Sequence, residues 1–327
     1  MIPPRNLFKI VVFTIAGLLL SGYAFAETQP RYKIAIANYG PHPSLTETIA
    51  GLKDGMTQAG YKENVNVFYD VSDVSFQPTL IRQMLTKLKA NKPDVMVVLT
   101  TPVAQAAKQM FPQTPLVFSA ITDPVAAGLI KDKNHGMPNI SGATDQQDLD
   151  GFITFAQKIL PHAKTIGVLF STAEDNDFAL VKMLKEKTKT HGMKLVPVPI
   201  DNPQDIPQRT RLFKDKVDLI YVGASGPIQP SLPAIVSVAN TLNIPVFNVD
   251  ATAVKNNEVL GSFSVAYDKV GKNTANIVID VLKGKKLEDI PPNYPALKDH
   301  EAVISQKKAD QLKITLPKDL AGITVIK

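Results

Sequence analysis

Residues 95–129 read VMVVLTTPVAQAAKQMFPQTPLVFSAITDPVAAGL, and this segment decides the fold. Its two continuous apolar runs, 95–99 and 116–118, are typical of strands buried on both faces of a parallel sheet. Each run is followed by a short polar turn and then by a helix-like run that begins with proline. The segment therefore predicts two strand-to-helix turns at the carboxyl edge of one sheet, where open α/β sheets bind their ligands.

The two turns carry the residues expected at helix starts. Thr101 and Asp123 occupy the predicted N-cap positions, and Pro102 and Pro124 follow at the first helical position. A helix N-terminus at this edge offers unpaired N–H groups and the positive end of the helix dipole, which suit a carboxylate or a phosphate. The alternative is that both residues only cap helices, as such residues do in many α/β proteins.

Strand-like and helix-like segments alternate along the chain, and the alternation restarts near residue 150. This pattern predicts an α/β fold with two doubly wound parallel-sheet lobes, joined by a hinge of several short strands. Further strands are expected at 32–37, 64–69, 139–143, 165–170, 194–200, 219–222, 244–249 and 260–265, and the main helices at 45–59, 77–89, 150–160, 178–190, 209–214, 232–242, 268–283 and 305–312. Two prolines place the strand at 194–200 at or near a sheet edge, and the end of the chain is expected to be irregular.

The N-terminus has the pattern of an export signal. Arg5 and Lys9 precede an apolar run at 10–20, and Ala24-Phe25-Ala26 forms a small-x-small cleavage site, so cleavage is expected after Ala26. A membrane anchor is the alternative, but the apolar run is short for a spanning helix. The chain has no cysteine, hence no site for lipid attachment, which predicts a soluble protein of the periplasm.

The remaining composition argues against several classes of function. The net charge is +6 and its positive charges are scattered, which is not the pattern of a nucleic-acid-binding patch. The five histidines lack metal-ligand spacing, and no Walker A, G-x-G-x-x-G or G-x-S-x-G motif is present. We therefore expect no catalysis, no metal and no cofactor. His42, between Pro41 and Pro43, is interpreted as a turn residue.

Seven motifs, which lie in order within residues 32–317, carry a resemblance to a known family. They are HPSL at 42–45, TPVAQAA at 101–107, VFSAITDPVAAGL at 117–129, NISG at 139–142, IGVL at 166–169, IPV at 244–246 and VLKGKK at 281–286. With these motifs the chain resembles the ABC transporter substrate-binding proteins with a type I periplasmic-binding fold, in the branch that includes tryptophan- and tyrosine-type binders.

The resemblance implies an N-lobe at 32–143 plus 263–289 and a C-lobe at 144–262 plus 290–327. It implies a small polar or zwitterionic solute held in the cleft, closure by hinge motion, and delivery of the solute to ABC permease subunits in the inner membrane. The protein is expected to be a monomer. An amino acid, aromatic or branched, is the first choice of ligand, and a nucleoside or an amide is the alternative. The ligand-binding subunit of a periplasmic signalling system is the alternative from another class.

The resemblance also implies a set of cleft residues. On the N-lobe side they are Tyr39, Leu45, Thr100, Thr101, Ala104, Gln105 and Asp123; on the C-lobe side they are Ser171, Thr172, Glu174, Ser225 and Asp250, with Tyr267 near a lobe crossing. Many members carry a Thr-Asp-Asn type sequence where this chain has GASGP at 223–227, so the usual carboxylate and amide are missing at that place.

The chemistry of an amino-acid ligand assigns roles to some of these residues. The hydroxyl and N–H groups of Thr100 and Thr101 suit the ligand carboxylate. The ammonium needs an acceptor, for which Asp123, Asp250 and Glu174 are the candidates. Simpler roles compete with these: Glu174 lies at a predicted helix start, where an acid stabilises the dipole, and Asp250 could cap the next turn. Tyr39 could pack against an apolar ligand side chain or be a tyrosine of the cleft rim.

Overall fold

The computed structural model describes residues 31–327. The predicted signal peptide at 1–26 lies outside the described residues. In the first part of the chain the elements are β1 (Tyr32–Ala37), α1 (Pro43–Gln58), β2 (Val67–Ser72), α2 (Ile81–Ala90), β3 (Val95–Leu99), α3 (Thr101–Met110), β4 (Leu116–Ile121) and β5 (Ile140–Thr144).

The second part continues the alternation and ends in an added pair of strands. Its elements are α4 (Leu149–Ile159), β6 (Thr165–Ser171), α5 (Asp175–Thr190), β7 (Lys194–Ile200), α6 (Ile206–Arg211), β8 (Leu219–Val222), α7 (Leu232–Leu242), β9 (Val246–Asn248), α8 (Ala251–Lys255), β10 (Gly261–Val265), α9 (Tyr267–Leu282), β11 (His300–Ser305), α10 (Gln306–Gln311) and β12 (Ile323–Ile326).

These strands form two separate sheets. The first has the order β2-β1-β3-β4-β5, and all its pairs are parallel. The second has the order β12-β11-β10-β9-β8-β6-β7 and is parallel except for the β10–β11 pair. Each sheet has a buried apolar cluster on both faces, which explains why every residue of β3 and β4 is buried. The predicted fold class of two parallel-dominated α/β sheets is therefore confirmed.

Some predicted local features differ from the structure. The run after Asp123 is a series of turns rather than a helix, because Asp123 Oδ1 accepts hydrogen bonds from the N–H groups of Val125 and Ala126 and closes a tight turn there. At α3 the N-cap is Thr100 rather than Thr101, and its side chain makes no capping bond. The tail is not irregular throughout, since β11 and β12 extend the second sheet. Strand β7, with its two prolines, does lie at a sheet edge.

Helix α9 lies in the chain between β10 and β11 of the second sheet but packs against the first sheet. It lies against α1 so closely that a Cβ atom on Gly271 would stand 2.1 Å from the carbonyl oxygen of Thr48, and one on Gly51 would stand 2.1 Å from that of Asp268. Glycine at both positions is therefore what allows the two helix backbones to touch. This contact covers the face of the first sheet that carries Ile34, Val97 and Val117.

The chain passes between the sheets three times, at 145–148, at Ala266 and at 290–299. Backbone hydrogen bonds tie these passages to one another: Thr144 N–H donates to the carbonyl of Asn293 at 2.9 Å, and Ala266 N–H to that of Asp299 at 2.8 Å. Short connections of this kind let two bodies rotate while staying in register. Within residues 31–327, no helix combines the length and the apolar character needed to cross a membrane.

Candidate functional site

A cavity of about 530 Å³ of empty space lies where the carboxyl ends of strands from both sheets converge. The first sheet contributes the residues that follow β1, β3, β4 and β5, and the second sheet those that follow β6, β8 and β9. The edge predicted from residues 95–129 is therefore one wall of this cavity.

The first-sheet wall is rich in hydroxyl groups that have no protein partner. Ser44 is 4% exposed, and neither its Oγ nor Thr100 Oγ1 has a hydrogen-bond partner among residues 31–327. Buried polar atoms in native proteins are nearly always hydrogen-bonded, so unpartnered atoms that face one cavity mark a place for a ligand. The start of α3 at Thr101 adds the positive end of a helix dipole to the same wall.

The backbone of this wall is strained at three cavity-lining residues. Phe76, Thr100 and Ala120 have φ values of 59°, 72° and 54°. Thr100 combines its φ with a ψ of 156°, a conformation that is almost restricted to glycine. Ala120 lies in β4, where the register against β5 shifts. Such conformations cost about 1–3 kcal/mol each and cluster at binding sites.

Asp145 is the most deeply buried carboxyl group of this wall. It directly follows β5 and is 3% exposed. The hydroxyl of Tyr267 donates to its Oδ2 at 3.2 Å, whereas Oδ1 has no hydrogen-bond partner in the described part of the chain. Burial raises the pKa of Asp145 to about 6, because desolvation outweighs the hydrogen bonds that favour the charged form. Its free oxygen is thus placed to accept a hydrogen bond from a cation.

The second-sheet wall is built around Glu174. Its carboxylate Oε2 accepts the N–H of Gly226 at 3.0 Å and a long contact from the Asn176 amide at 3.4 Å. Burial raises the pKa of Glu174, and the Gly226 N–H, the Asn176 amide and the Tyr39 hydroxyl partly offset that effect. In turn, burial together with the Glu174 carboxylate raises the pKa of Tyr39. The second-sheet wall therefore presents a buried carboxyl group to the cavity.

A second carboxyl group, Asp177, lies behind Glu174. Its Oδ2 accepts the backbone N–H of Ser171 and, at 2.8 Å, the hydroxyl of Ser225. Burial, reinforced by the charge of Glu174, raises the pKa of Asp177 to about 8. Asp177 therefore holds the two serines in place rather than facing the cavity.

His42 lines the cavity and also caps the N-terminus of α1. Its Nδ1 accepts the N–H of Ser44 at 3.3 Å and so caps α1. Its Nε2 lies 3.8 Å from Asp250 Oδ2. Burial lowers the pKa of His42 in spite of the nearby Asp250 carboxylate. Asp250 is itself committed to a cap, because its Oδ1 accepts the N–H of Thr252 at 2.8 Å.

Direct contacts connect α3, which follows β3 of the first sheet, with α5, which follows β6 of the second. Gln105 Nε2 donates to Asp175 Oδ2 at 2.7 Å and to the carbonyl of Ala127 at 3.0 Å. Near the cavity, Tyr39 of the first sheet reaches Gly226 and Glu174 of the second. The two walls are therefore in contact in this structure.

The structure brings together seven of the residues expected in the cleft as lining of this cavity: Tyr39, Leu45, Thr100, Thr101, Glu174, Ser225 and Tyr267. The other six lie elsewhere. Ser171 and Asp250 are buried behind the wall, and Thr172 donates to Asp201. Ala104 is buried in the core of the first sheet, Gln105 bridges α3 and α5, and Asp123 holds its own turn.

Sequence reasoning did not select several lining residues: His42, Ser44, Phe76, Thr122, Asp145, Asn176 and Gln229. A signal existed for Thr122 and Asp145. Both follow buried strands directly, as Thr100 does, and polar residues at strand carboxyl ends share one sheet edge. Phe76 reaches the cavity from a loop with positive φ, which no local pattern indicates.

The lining has an unusual balance of charge. The lining holds the carboxyl groups of Asp145 and Glu174, and none of the described residues that line the cavity is a Lys or an Arg. A site of this composition suits a ligand that brings a positive group and disfavours one with several negative charges.

The fold, together with a pocket between two parallel sheets that carries buried carboxyl and hydroxyl groups, defines a solute-binding protein of the periplasmic-binding type. More narrowly, the chain belongs to the ABC transporter substrate-binding protein family, whose model matches residues 33–324. Proteins of this family bind a small molecule, work with transporter permease subunits, are exported and are not normally catalytic.

Relatives with known structure or ligand support this assignment. The chain is 28% identical to a tyrosine-binding protein of Clostridioides difficile (strain R20291) over 292 aligned residues. The alignment covers 88% of this chain and 84% of that protein. Among solved structures, a conserved domain protein from Vibrio cholerae superposes with a TM-score of 0.85 at 30% identity, covering 90% of this chain and 99% of that one.

Two further solved structures differ in whether a ligand is bound. An ABC domain from Streptococcus pneumoniae in complex with L-Trp is 28% identical and superposes with a TM-score of 0.84, covering 90% of this chain and all of that one. A ligand-free, open substrate-binding protein with adhesive properties from Clostridium difficile is 27% identical, with a TM-score of 0.70 over 90% and 99% of the two chains. At equal coverage, the described conformation is more similar to the ligand-bound structure than to the open one.

Proposed function

We propose that this chain is the receptor of an ABC importer for a free α-amino acid with an aromatic side chain. The observation that carries the proposal is the pairing of unpartnered groups in one buried cavity. Asp145 Oδ1 is an acceptor without a donor, and the hydroxyls of Ser44 and Thr100 have no partner within residues 31–327. An α-amino acid brings an ammonium for the first and a carboxylate for the second.

The strand order leaves room for the backbone of an amino acid between these groups. Thr100 follows β3 and Asp145 follows β5, and β4 lies between those two strands. Neighbouring strands are about 4.8 Å apart, so the two groups start from positions roughly 10 Å apart. Two hydrogen bonds of about 2.8 Å leave room between them for an ammonium and a carboxylate joined through one carbon atom.

The apolar part of the lining favours a bulky side chain. The rings of Tyr39 and Phe76 meet edge to face with centroids 5.5 Å apart, and Leu45 and Val249 complete the apolar surface. Relatives that bind tyrosine and L-tryptophan support an aromatic ligand. A nucleoside or a sugar would leave Asp145 without the cation that its buried position calls for.

The same proposal covers where and how the protein works. Cleavage after Ala26 would release it into the periplasm, where it acts as a monomer and binds no nucleic acid. Each sheet is the centre of one lobe, the passages at 145–148, 266 and 290–299 form the hinge, and the ligand holds the lobes together. The contacts between α3 and α5 and the similarity to a ligand-bound relative support a closed state.

The test is calorimetric titration of the purified mature chain with three groups of ligands: the aromatic amino acids, the branched amino acids, and a panel of nucleosides and sugars. N-acetyltryptophan, which lacks the ammonium, and tryptamine, which lacks the carboxylate, are the matched controls. We expect an aromatic amino acid to bind and both controls to bind at least about 100-fold more weakly, because each leaves a buried polar group unpaired.

Two results would contradict the proposal. Binding of a nucleoside or a sugar without binding of any amino acid would assign the cavity to another solute class. Tight binding of N-acetyltryptophan would remove the ammonium, and with it Asp145, from the basis of recognition.

A further inference from the structure

We propose that Glu174 recognises the far end of the ligand side chain. Its carboxylate would accept a hydrogen bond from a side-chain donor, the phenol O–H of tyrosine or the indole N–H of tryptophan. The site would then select aromatic amino acids that carry such a donor over phenylalanine. This inference rests on the proposed function and adds a rule for specificity.

The first argument is the direction of the Glu174 side chain. Glu174 is the N-cap residue of α5, where an acid often bonds to the N–H groups of the first turn. Its side chain makes no such bond and reaches instead across to the N–H of Gly226 at 3.0 Å. The group is 5% exposed and lines the cavity. Helix capping therefore does not account for its position.

The second argument is the space left for the carboxylate. A Cβ atom on Gly226 would stand 2.6 Å from Glu174 Oε1 and 2.3 Å from Tyr39 Cε1. Only glycine at this position lets the carboxylate and the tyrosine ring lie side by side at the cavity wall. The apolar rings of Tyr39 and Phe76 thus adjoin the acidic group, as a ligand that is aromatic with a polar tip requires.

The third argument is a count of charges and donors. A zwitterionic amino acid brings one ammonium, and Asp145, on the other sheet, accepts it in the proposed function. The Oε1 atom of the buried Glu174 carboxyl group has no hydrogen-bond partner among residues 31–327, so it is an acceptor open to a second donor from the ligand. A site with a buried acceptor discriminates strongly against an analogue that lacks the donor, as a hydrophobic pocket cannot.

The experiment compares tyrosine, tryptophan and phenylalanine on the mature wild-type chain and on Glu174→Gln. The matched control variant is Glu186→Gln, which removes the same charge from an exposed position of the same helix. We expect wild type to bind tyrosine or tryptophan about 10- to 100-fold more tightly than phenylalanine. Glu174→Gln should lower that ratio about tenfold by weakening only the donor-bearing ligands, and Glu186→Gln should leave it unchanged.

The outcomes separate this inference from the function on which it rests. Equal affinities of wild type for all three ligands, or an equal loss for all three in Glu174→Gln, would overturn the role of Glu174 while amino-acid binding stands. Binding of none of the three would overturn both. If Glu174→Gln fails to fold, the comparison of tyrosine with phenylalanine on wild type still decides.

Discussion

The two walls of the cavity differ in how far neighbouring residues satisfy their polar groups. The first-sheet wall presents Ser44, Thr100 and Asp145 with atoms that have no partner within residues 31–327, on a backbone held in strained conformations. In the second-sheet wall, Asp177 and the Oε2 atom of Glu174 accept hydrogen bonds from neighbours on their own sheet, while Glu174 Oε1 and Asn176 Oδ1 have no partner within residues 31–327. The difference indicates that the ligand backbone completes the first wall, whereas the second wall is largely preorganised and leaves one oxygen of Glu174 for the ligand side chain.

The largest effect is expected from Asp145→Asn. The variant keeps the size of the side chain but removes the charge that faces the ligand ammonium, so we expect affinity for the amino acid to fall about 100-fold or more, measured by titration calorimetry. Asp123→Asn is the control, because Asp123 lies outside the cavity lining and holds its own turn. If the two variants lose affinity equally, the first wall does not work as described.

The same residue predicts a pH dependence. The pKa of Asp145 is raised to about 6, so the carboxylate that pairs with an ammonium is present only above that pH. Affinity for the amino acid should therefore rise by up to about tenfold per pH unit between pH 4.5 and 6, and it should level off above pH 7. Tyr221 and Tyr267 beside it stay protonated throughout, because burial raises their pKa values. A profile that is as steep in Asp145→Asn as in wild type would attribute the effect to another group.

The second-sheet wall should make the stability of the protein depend on pH, through Asp177. The native pKa of Asp177 is about 8, above its ordinary value of 3.8, so its contribution to stability is full below pH 3.8 and is lost as pH rises toward 8. Asp177→Asn is neutral at every pH and should gain melting temperature relative to wild type between pH 5 and 8, by about 3–6 °C. The control is Glu186→Gln, for which the difference in melting temperature from wild type should not change with pH.

A smaller effect tests the strain in the backbone of the first wall. Thr100→Gly relieves a backbone conformation that glycine adopts freely, and we expect unfolding free energy to rise by about 1 kcal/mol. The loss of the hydroxyl should lower ligand affinity several-fold, on the order of one neutral hydrogen bond. Ala120→Gly, also at positive φ but without a hydroxyl, should gain stability at unchanged affinity. Unfolding by denaturant and calorimetry on the same samples check both values.

The smallest effect concerns the contact between the walls. Gln105→Ala removes the 2.7 Å hydrogen bond to Asp175 and should weaken binding about two- to fivefold, through a faster dissociation rate. Gln109→Ala on the same helix, whose side chain accepts from Arg82 instead, is the control. A change in the association rate alone would argue against a role in holding the closed state.

The architecture could be predicted from the sequence because it depends on the periodic pattern of apolar residues. The apolar runs at β3 and β4 and the restart after residue 150 predicted two parallel α/β sheets, and the prolines of β7 placed it at an edge. The C-terminal tail was harder to predict, because β11 and β12 are short strands that form by pairing with residues distant in sequence: β11 pairs with β10, and β12 pairs with β11.

The site was only partly predictable, for a physical reason. Position after a strand indicates that a residue reaches the sheet edge, as for Thr100 and Glu174, but not whether its side chain turns into the cavity. Asp123 and Asp250 satisfy their oxygens on their own turns, whereas Asp145 leaves one oxygen without a partner in the described chain. That distinction depends on local hydrogen bonds, which the order of residues alone does not reveal.

The packing of α9 on α1 has a consequence for biosynthesis. The surface of α1 around Gly51 and Gly55 receives its partner only when residues up to 282 have been translated. Until then one face of the first sheet remains uncovered, so a nascent chain cannot complete this half before most of its length has left the ribosome. A polypeptide that has to be threaded through a narrow translocation channel benefits from that delay.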